Sequence, residues 1–262
     1  MPPTTTALTT SAPSSTVGDI TVGSDCRQPT PPVTAVDRSG RIDFRRRCEH
    51  KVGSYSIDVE YPTLSLIENT DVAARMNDAM TKWMDQRANE LKDQMAQLER
   101  DFPNHFEGVL VTARFEVLAF FADLISLHAQ LGWYGGGAVG STFHEPFNFD
   151  PRTGNDVPFL ALFAGPDDQL GGRVTDAVRT ELQRLSLYES ARIGGSEPGI
   201  DFNLPDNYAL YGLSERGVTI YFRRYQIGPG STGSPSVDIP YSTWETLFAP
   251  DSLATLAQRH FW

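Results

Sequence analysis

Few residues in this chain have both a type and a spacing that suit chemistry. Gly135 to Gly140 read GGGAVG, which satisfies the G-x-G-x-x-G pattern that cradles a dinucleotide pyrophosphate. That chemistry needs a strand before the glycines and a helix after them, because the pyrophosphate sits on the helix N-terminus. Here an alternating stretch precedes, but STFHEPFNFD comes after, which alternates like another strand and contains Pro146. The glycines are therefore expected to serve an irregular strand-to-strand crossing, with no NAD, FAD or ATP bound and no cofactor.

Nucleophile patterns fail in the same way. GPGSTG around Ser231 and GGSEPG around Ser196 both miss G-x-S-x-G, and neither lies at a strand-to-helix elbow. The five histidines, His50, His105, His128, His144 and His260, lack H-x-x-x-H or a similar metal-ligand spacing. His144, Glu145 and Asp150 sit close in sequence without a matching spacing, so His144 is expected to be a half-exposed strand histidine, not a metal ligand. His128 lies between Leu127 and Ala129 and is expected to face outward. No pair of carboxylates stands out for glycoside hydrolysis. No catalytic residue is assigned.

Cys26 and Cys48 are the 2 cysteines. They flank the junction between an N-terminal leader and the patterned chain, which leaves two states open. One is an oxidised pair, suited to an exported protein and contributing ~3 kcal/mol through a loop of about 20 residues. The other is two unpaired thiols.

The elements that must position these residues follow from hydrophobic period. Tyr55, Ile57, Val59 and Tyr61 alternate on one face of a strand ended by Pro62. Val72, Met76, Met80, Trp83, Leu91, Met95 and Leu98 recur at helical spacing from about 71 to 100, with Pro103 beyond as a stop. This stripe is core packing rather than a cofactor face. GVLVTARFEVLAFF and DLISLHAQLGWY read as adjacent antiparallel strands, TFHEPFNF as a further strand, and DPRTGND as a turn. Residues 167–187 are helical, with Leu170, Val174, Val178, Leu182 and Leu185 on one side. YALYGL and VTIYFRRYQI form a hairpin around SERG, and VDIPYSTWETLF leads to a short terminal helix. Without a helix between successive strands, the fold class is α+β. The expected form is a mainly antiparallel sheet with a long helix and a second, shorter helix packed on it.

Composition bounds the partners. Of the first 40 residues, 20 are Pro, Ser or Thr, so residues 1–49 are expected to form a disordered tether. The run Arg45 to Arg47 is expected to be a solvated turn. Residues 1–49 carry 6 Arg against 5 Asp/Glu, or +1, and the remainder 16 Lys/Arg against 28 Asp/Glu, or −12. A folded part this acidic excludes nucleic acid, whose phosphates need clustered cations, and favours a basic partner or simple solubility. No run approaches the ~20 apolar residues of a membrane span, and the N-terminus lacks a basic and then apolar leader.

Several segments together resemble the RsiV-type family of bacterial extracytoplasmic domains. The matching residues are Gly136, Gly137 and Ala138; Asn148, Phe149, Asp150, Thr153 and Gly154; Leu162 and Phe163; and Gly217, Tyr221, Phe222, Tyr225, Pro229, Gly233, Ile239, Pro240 and Tyr241. The resemblance covers about residues 50–250. Residues 50–130 are similar to the module found with it in peptidoglycan deacetylases of the PdaC type, and 131–250 to the RsiV C-terminal module, in one domain spanning 50–262. The cysteines before the first strand are similar to those of secreted mycobacterial immunogenic proteins with this domain, which implies a Cys26–Cys48 disulfide. Two departures stand out: the family's histidine after Gly-Gly-Ala is Val139 here, and no membrane helix or anti-sigma segment precedes the domain.

The resemblance implies an exported or cell-surface, non-catalytic recognition domain binding a protein or glycan partner. Lysozyme, which the RsiV type binds, is a basic protein that suits an acidic domain, and peptidoglycan is the other partner considered. Contacts are expected from Trp133 and Tyr134 beside the glycine loop and from Pro229 and Ser231 in IGPGSTG, since aromatics beside flexible glycines make suitable anchors. The alternatives are an envelope enzyme acting on peptidoglycan and a secreted immunogenic protein that interacts with a host.

Overall fold

Alternation of apolar and polar side chains builds a six-stranded sheet in sequence order: β1 (Val33–Thr34), β2 (Gly40–Lys51), β3 (Tyr55–Leu66), β4 (Val109–Phe121), β5 (Leu124–Tyr134) and β6 (Ser141–Phe149). The computed structural model describes residues 29–51, 55–101, 109–134, 140–165, 167–185, 208–227 and 233–261. All neighbouring pairs in this sheet are antiparallel except β3–β4, which run parallel over Tyr55–Val59 and Val109–Ala113. A parallel pair needs a long crossover, and helix α1 (Thr70–Asp101) supplies it. Asn69 caps this helix, its side chain accepting the Val72 N–H at 3.3 Å. On the face it buries, Val72, Met76, Met80 and Met84 are almost fully enclosed with Ile57, Val59, Val111, Ile125, Leu127 and Leu131. Each such side chain contributes ~1.5–3 kcal/mol relative to an exposed one.

A second sheet comes next in the chain, made of β7 (Tyr211–Ser214), β8 (Gly217–Tyr221) and β9 (Ser236–Ile239), all antiparallel. Helices α2 (Asp167–Arg184), α3 (Tyr241–Trp244) and α4 (Leu253–Phe261) surround it. Leu170, Val174, Val178 and Leu182, four residues apart along α2, close a second core rich in aromatics. Phe159, Phe163, Tyr211 and Trp244 form edge-to-face pairs there, with ring centroids 5.1–6.1 Å apart. The α+β class, the large antiparallel sheet and the long helix with shorter ones are thus as expected from the sequence.

Four local expectations change. Val33–Thr34 and Gly40–Lys51 are strand, not tether: Ile42 and Phe44 are buried, and the full length of β2 pairs with β3. The arginine triplet lies within β2, and Arg46 pairs with Asp58 through two guanidinium nitrogens, its side chain only 6% exposed. The charge of this triplet hid the strand. The strand through Tyr55 does not end at Pro62 but runs to Leu66. Asn77 of α1 binds both the Leu64 N–H (2.7 Å) and C=O (2.8 Å), so even-numbered residues there turn their polar groups toward α1. Pro62 shares that side, where β4 pairing has already stopped at Val59, and its missing N–H leaves no ladder bond unmade. The fourth change, at His128, belongs to the site.

Candidate functional site

The two sheets dock along a polar seam formed by even-numbered residues of β5 and β6. At one end, Ser126 donates to the Asn148 carboxamide oxygen (2.7 Å) and accepts the Leu213 N–H (3.0 Å), while Asn148 donates to the Tyr211 carbonyl (2.6 Å). Both side chains are completely buried, so these bonds satisfy groups that would otherwise be costly to enclose. Two residues further along β5, His128 is 6% exposed and does not face outward. Alternation did place it opposite Leu127 and Ala129, but the second sheet covers that face. Its ring stacks on Tyr221 of β8 at 4.1 Å and hydrogen-bonds His144 of β6 across 2.9 Å.

Partners fix the tautomers. His144 Nε2 faces the Ser234 carbonyl at 3.0 Å and must donate, so Nδ1 of the neutral ring accepts from His128 Nε2. His128 Nδ1 then points at the Glu116 carboxylate, 3.8 Å away. The result is a hydrogen-bonded chain from His128 through His144 to a backbone carbonyl, with the Glu116 carboxylate beside His128 but beyond hydrogen-bond distance. His128 holds the Glu116 carboxyl below its ordinary range against the opposing effect of burial. Burial lowers His144 to about 4, so it stays neutral at ordinary pH. Tyr221 is raised well above its usual value by burial and by the nearby Glu116 and Asp238 carboxylates. Among the described residues, no serine or threonine hydroxyl hydrogen-bonds an imidazole, and no three histidines, cysteines or carboxylates gather as metal ligands.

The seam opens at the turn after β8. Arg224 reaches across to the Gly140 carbonyl (3.4 Å) and the Ser141 hydroxyl (3.2 Å), and Ser234 donates to the Thr142 carbonyl (2.8 Å). The next residue, Tyr225, is 66% exposed and has φ +67°, a left-handed conformation that side chains rarely adopt. Its turn is closed by the Gln226 N–H on the Arg223 carbonyl (3.0 Å) and by the Gln226 side chain on the Arg223 N–H (2.7 Å). The Arg224 guanidinium lies 5.2 Å from the centre of the tyrosine ring. Phe143, on edge strand β6, is also exposed.

Of the residues expected to contact a partner, Trp133 packs half-buried against the α1-side core. Tyr134, its neighbour on β5, is half-buried and points to the opposite face of the sheet. Pro229 and Ser231 lie outside the described residues, as do Gly135–Val139. The element after the glycines is strand β6, antiparallel to β5, so the dinucleotide arrangement is not formed. Tyr225 was legible only as a family match, because an unfavourable φ leaves no sequence signal. Elsewhere, an apolar groove of about 450 Å³ runs beside β1 and β4, lined by Val33, Val36, Phe44, Phe115 and Phe120, with Glu116 among its walls.

Comparisons with known proteins come to the same fold. Residues 171–242, from α2 through the second sheet to α3, match the family described as "Protein of unknown function (DUF3298)". A Mycobacterium tuberculosis protein named Esterase Rv3036c is 25% identical over 219 residues, covering 80% of this chain and 87% of its own. Among solved structures, a DUF3298 family member from Bacteroides fragilis is similar with a TM-score of 0.54 at 16% identity, over 84% of this chain and 99% of its own. A DUF3298 family protein from Pseudomonas aeruginosa is similar with a TM-score of 0.53 at 15% identity, over 80% and 95%. The chain thus carries a DUF3298 match in its second half and shares its fold with solved members of that family.

Proposed function

We propose that this protein is an exported, non-catalytic recognition module of the bacterial cell envelope, and that its contact surface is the Arg223–Gln226 turn with edge strand β6 beside it. The observation that carries this reading is Tyr225. Strain at an exposed aromatic residue is retained where the ring is needed for contact, and a glycine would make the same turn without it. The RsiV-type resemblance supports both the export and the class of function. The chain of hydrogen bonds from His128 through His144 ends on a carbonyl, which suits a structural role between the sheets. The test is capture of cell-wall fragments and of several lysozymes by the intact protein, with Tyr225→Gly beside the wild type. Loss of capture with the fold unchanged by circular dichroism supports the reading, and equal capture by both removes this surface from it.

Ester hydrolysis is the second reading, favoured by the mycobacterial relative's name and by the apolar groove against which Glu116 stands. Glu116, His128 and His144 would then be the acid–base machinery, with the groove receiving an acyl group. As the seam stands, His144 donates to a carbonyl and not toward a nucleophile. Labelling by a fluorophosphonate, together with p-nitrophenyl butyrate hydrolysis lost in His144→Gln, would establish this reading in place of the first.

A further inference from the structure

On a chain of net charge −11, the surface around Tyr225 is locally cationic. Arg223 is exposed, and Arg224 is half-buried with its Nε enclosed and without a hydrogen-bond partner. Neither arginine forms an ion pair among the described residues; Arg224 hydrogen-bonds the neutral oxygens of Gly140 and Ser141 and lies over one side of the Tyr225 ring. Glu145, on β6, is influenced by Arg223, but burial raises its carboxyl and Arg87 of α1 is the stronger cationic influence on it. An arginine fork is shaped to bind a carboxylate through two parallel hydrogen bonds. Beside it, an exposed tyrosine ring presents a flat apolar face of the kind that packs against an amphipathic ligand.

We infer that the Arg223–Tyr225 turn is a binding site for a saccharide bearing carboxylates, with the tyrosine ring under a pyranose face and the guanidinium groups on the acid. This rests on the recognition reading and narrows its ligand. It also separates this surface from any basic partner, which the two arginines would repel even though the molecule as a whole attracts it. An acidic peptide would satisfy the arginines, but it gives the exposed, strained ring no ring face to cover, so the saccharide accounts for both features.

Isothermal titration of the intact protein with three probes tests this: a hyaluronan tetrasaccharide carrying glucuronates, neutral chitotetraose, and hexaglutamate. Saturable binding of the hyaluronan probe is expected, at least about tenfold tighter than either other probe, which is the range of one charge-assisted hydrogen bond. Arg223→Gln, on the exposed arginine, should weaken that binding by about tenfold, and Tyr225→Gly should abolish it. Equal binding of chitotetraose, or preferential binding of hexaglutamate, overturns the saccharide-acid assignment. If hyaluronan fails while a lysozyme or another captured partner still depends on Tyr225, the ligand class is wrong and the recognition reading stands. If no captured partner depends on Tyr225, both fall.

Discussion

Tyr225 sits at the third position of its turn, where a left-handed residue is required and glycine is the ordinary occupant. A side chain there costs ~1–2 kcal/mol, and part of this is offset because glycine would leave the unfolded chain freer. Tyr225→Gly is therefore expected to raise stability by roughly 0.5–1 kcal/mol in urea unfolding, while removing the contact surface. A loss of stability would mean that the ring holds the turn in place. His144 makes the second prediction at this scale. Folded, it titrates near about 4; its ordinary value is 6.5. Between these values the unfolded chain binds a proton that the folded chain does not, so its contribution is complete above 6.5 and falls as pH drops toward 4. The loss is at most about 3 kcal/mol. Arg216, Asp238 and Glu116, on the elements packed around Tyr221, add their own charges to the same region. The comparison is therefore with His144→Gln, which keeps an acceptor for His128 but does not titrate. Denaturant midpoints at pH 7.5, 6 and 4.5 should fall less steeply in the variant, and identical slopes would take His144 out of the account.

At the scale of elements, most of what was legible came from period. The long helix, the paired strands and the α2 stripe follow from spacing: Leu170, Val174, Val178 and Leu182 are buried, while Leu185, expected with them, lies just past the helix end and is exposed. The illegible part came from pairing. Whether Pro62 interrupts a strand depends on which edge its nitrogen faces, and whether His128 meets water depends on a sheet that starts more than eighty residues later. The hairpin turn between β7 and β8 shows how specific such pairings are. Gly217 has φ +129°, and a Cβ there would lie 2.2 Å from the Ile239 carbonyl oxygen of β9. Gly217→Ala is expected to cost more than about 2 kcal/mol, combining the backbone strain with a displaced strand; a midpoint shift within error would contradict the tight β8–β9 contact. The start of the large sheet carries another prediction. Thr30 is tied to Glu60 by its N–H (2.9 Å) and its hydroxyl (2.9 Å), and Glu60 pairs in register with Arg46. Cys26 lies outside the described residues, four positions before Thr30 and so within ~13 Å of chain from it, and Cys48 is not a free thiol. A Cys26–Cys48 disulfide should make the oxidised protein about two mass units lighter than the reduced one, and reduction should cost ~3 kcal/mol. Two alkylatable thiols in folded, oxidised protein would refute the pairing.

The described residues form two cores where one sheet was expected, and the β4–β5 hairpin belongs to both. Ile125, Leu127, Ala129 and Leu131 face α1, while Ala119, Phe121 and Leu124 at the hairpin's closed end enter the aromatic core. Shared side chains of this kind, together with the buried seam, should make the two cores unfold as one. Asn148 is the place to test this. It is 1% exposed, and its side chain meets Ser126 of β5 and the Tyr211 carbonyl of β7, while its backbone N–H meets Asp156 at 3.0 Å. Asn148→Ala keeps the backbone bond but leaves the Tyr211 carbonyl and the Ser126 hydroxyl short of partners in a buried interface, at a cost of ~2–4 kcal/mol for the two groups together. The penalty falls on the docking of the sheets and not within either core. Hydrogen exchange should therefore show the amides of β7 and β8, Leu213 above all, opening at lower free energy than those of β3 and β4, where the wild type shows a common value. Equal weakening across both sheets would mean that the shared hairpin alone couples the cores, and no weakening in β7 would mean that the seam contributes nothing to their docking.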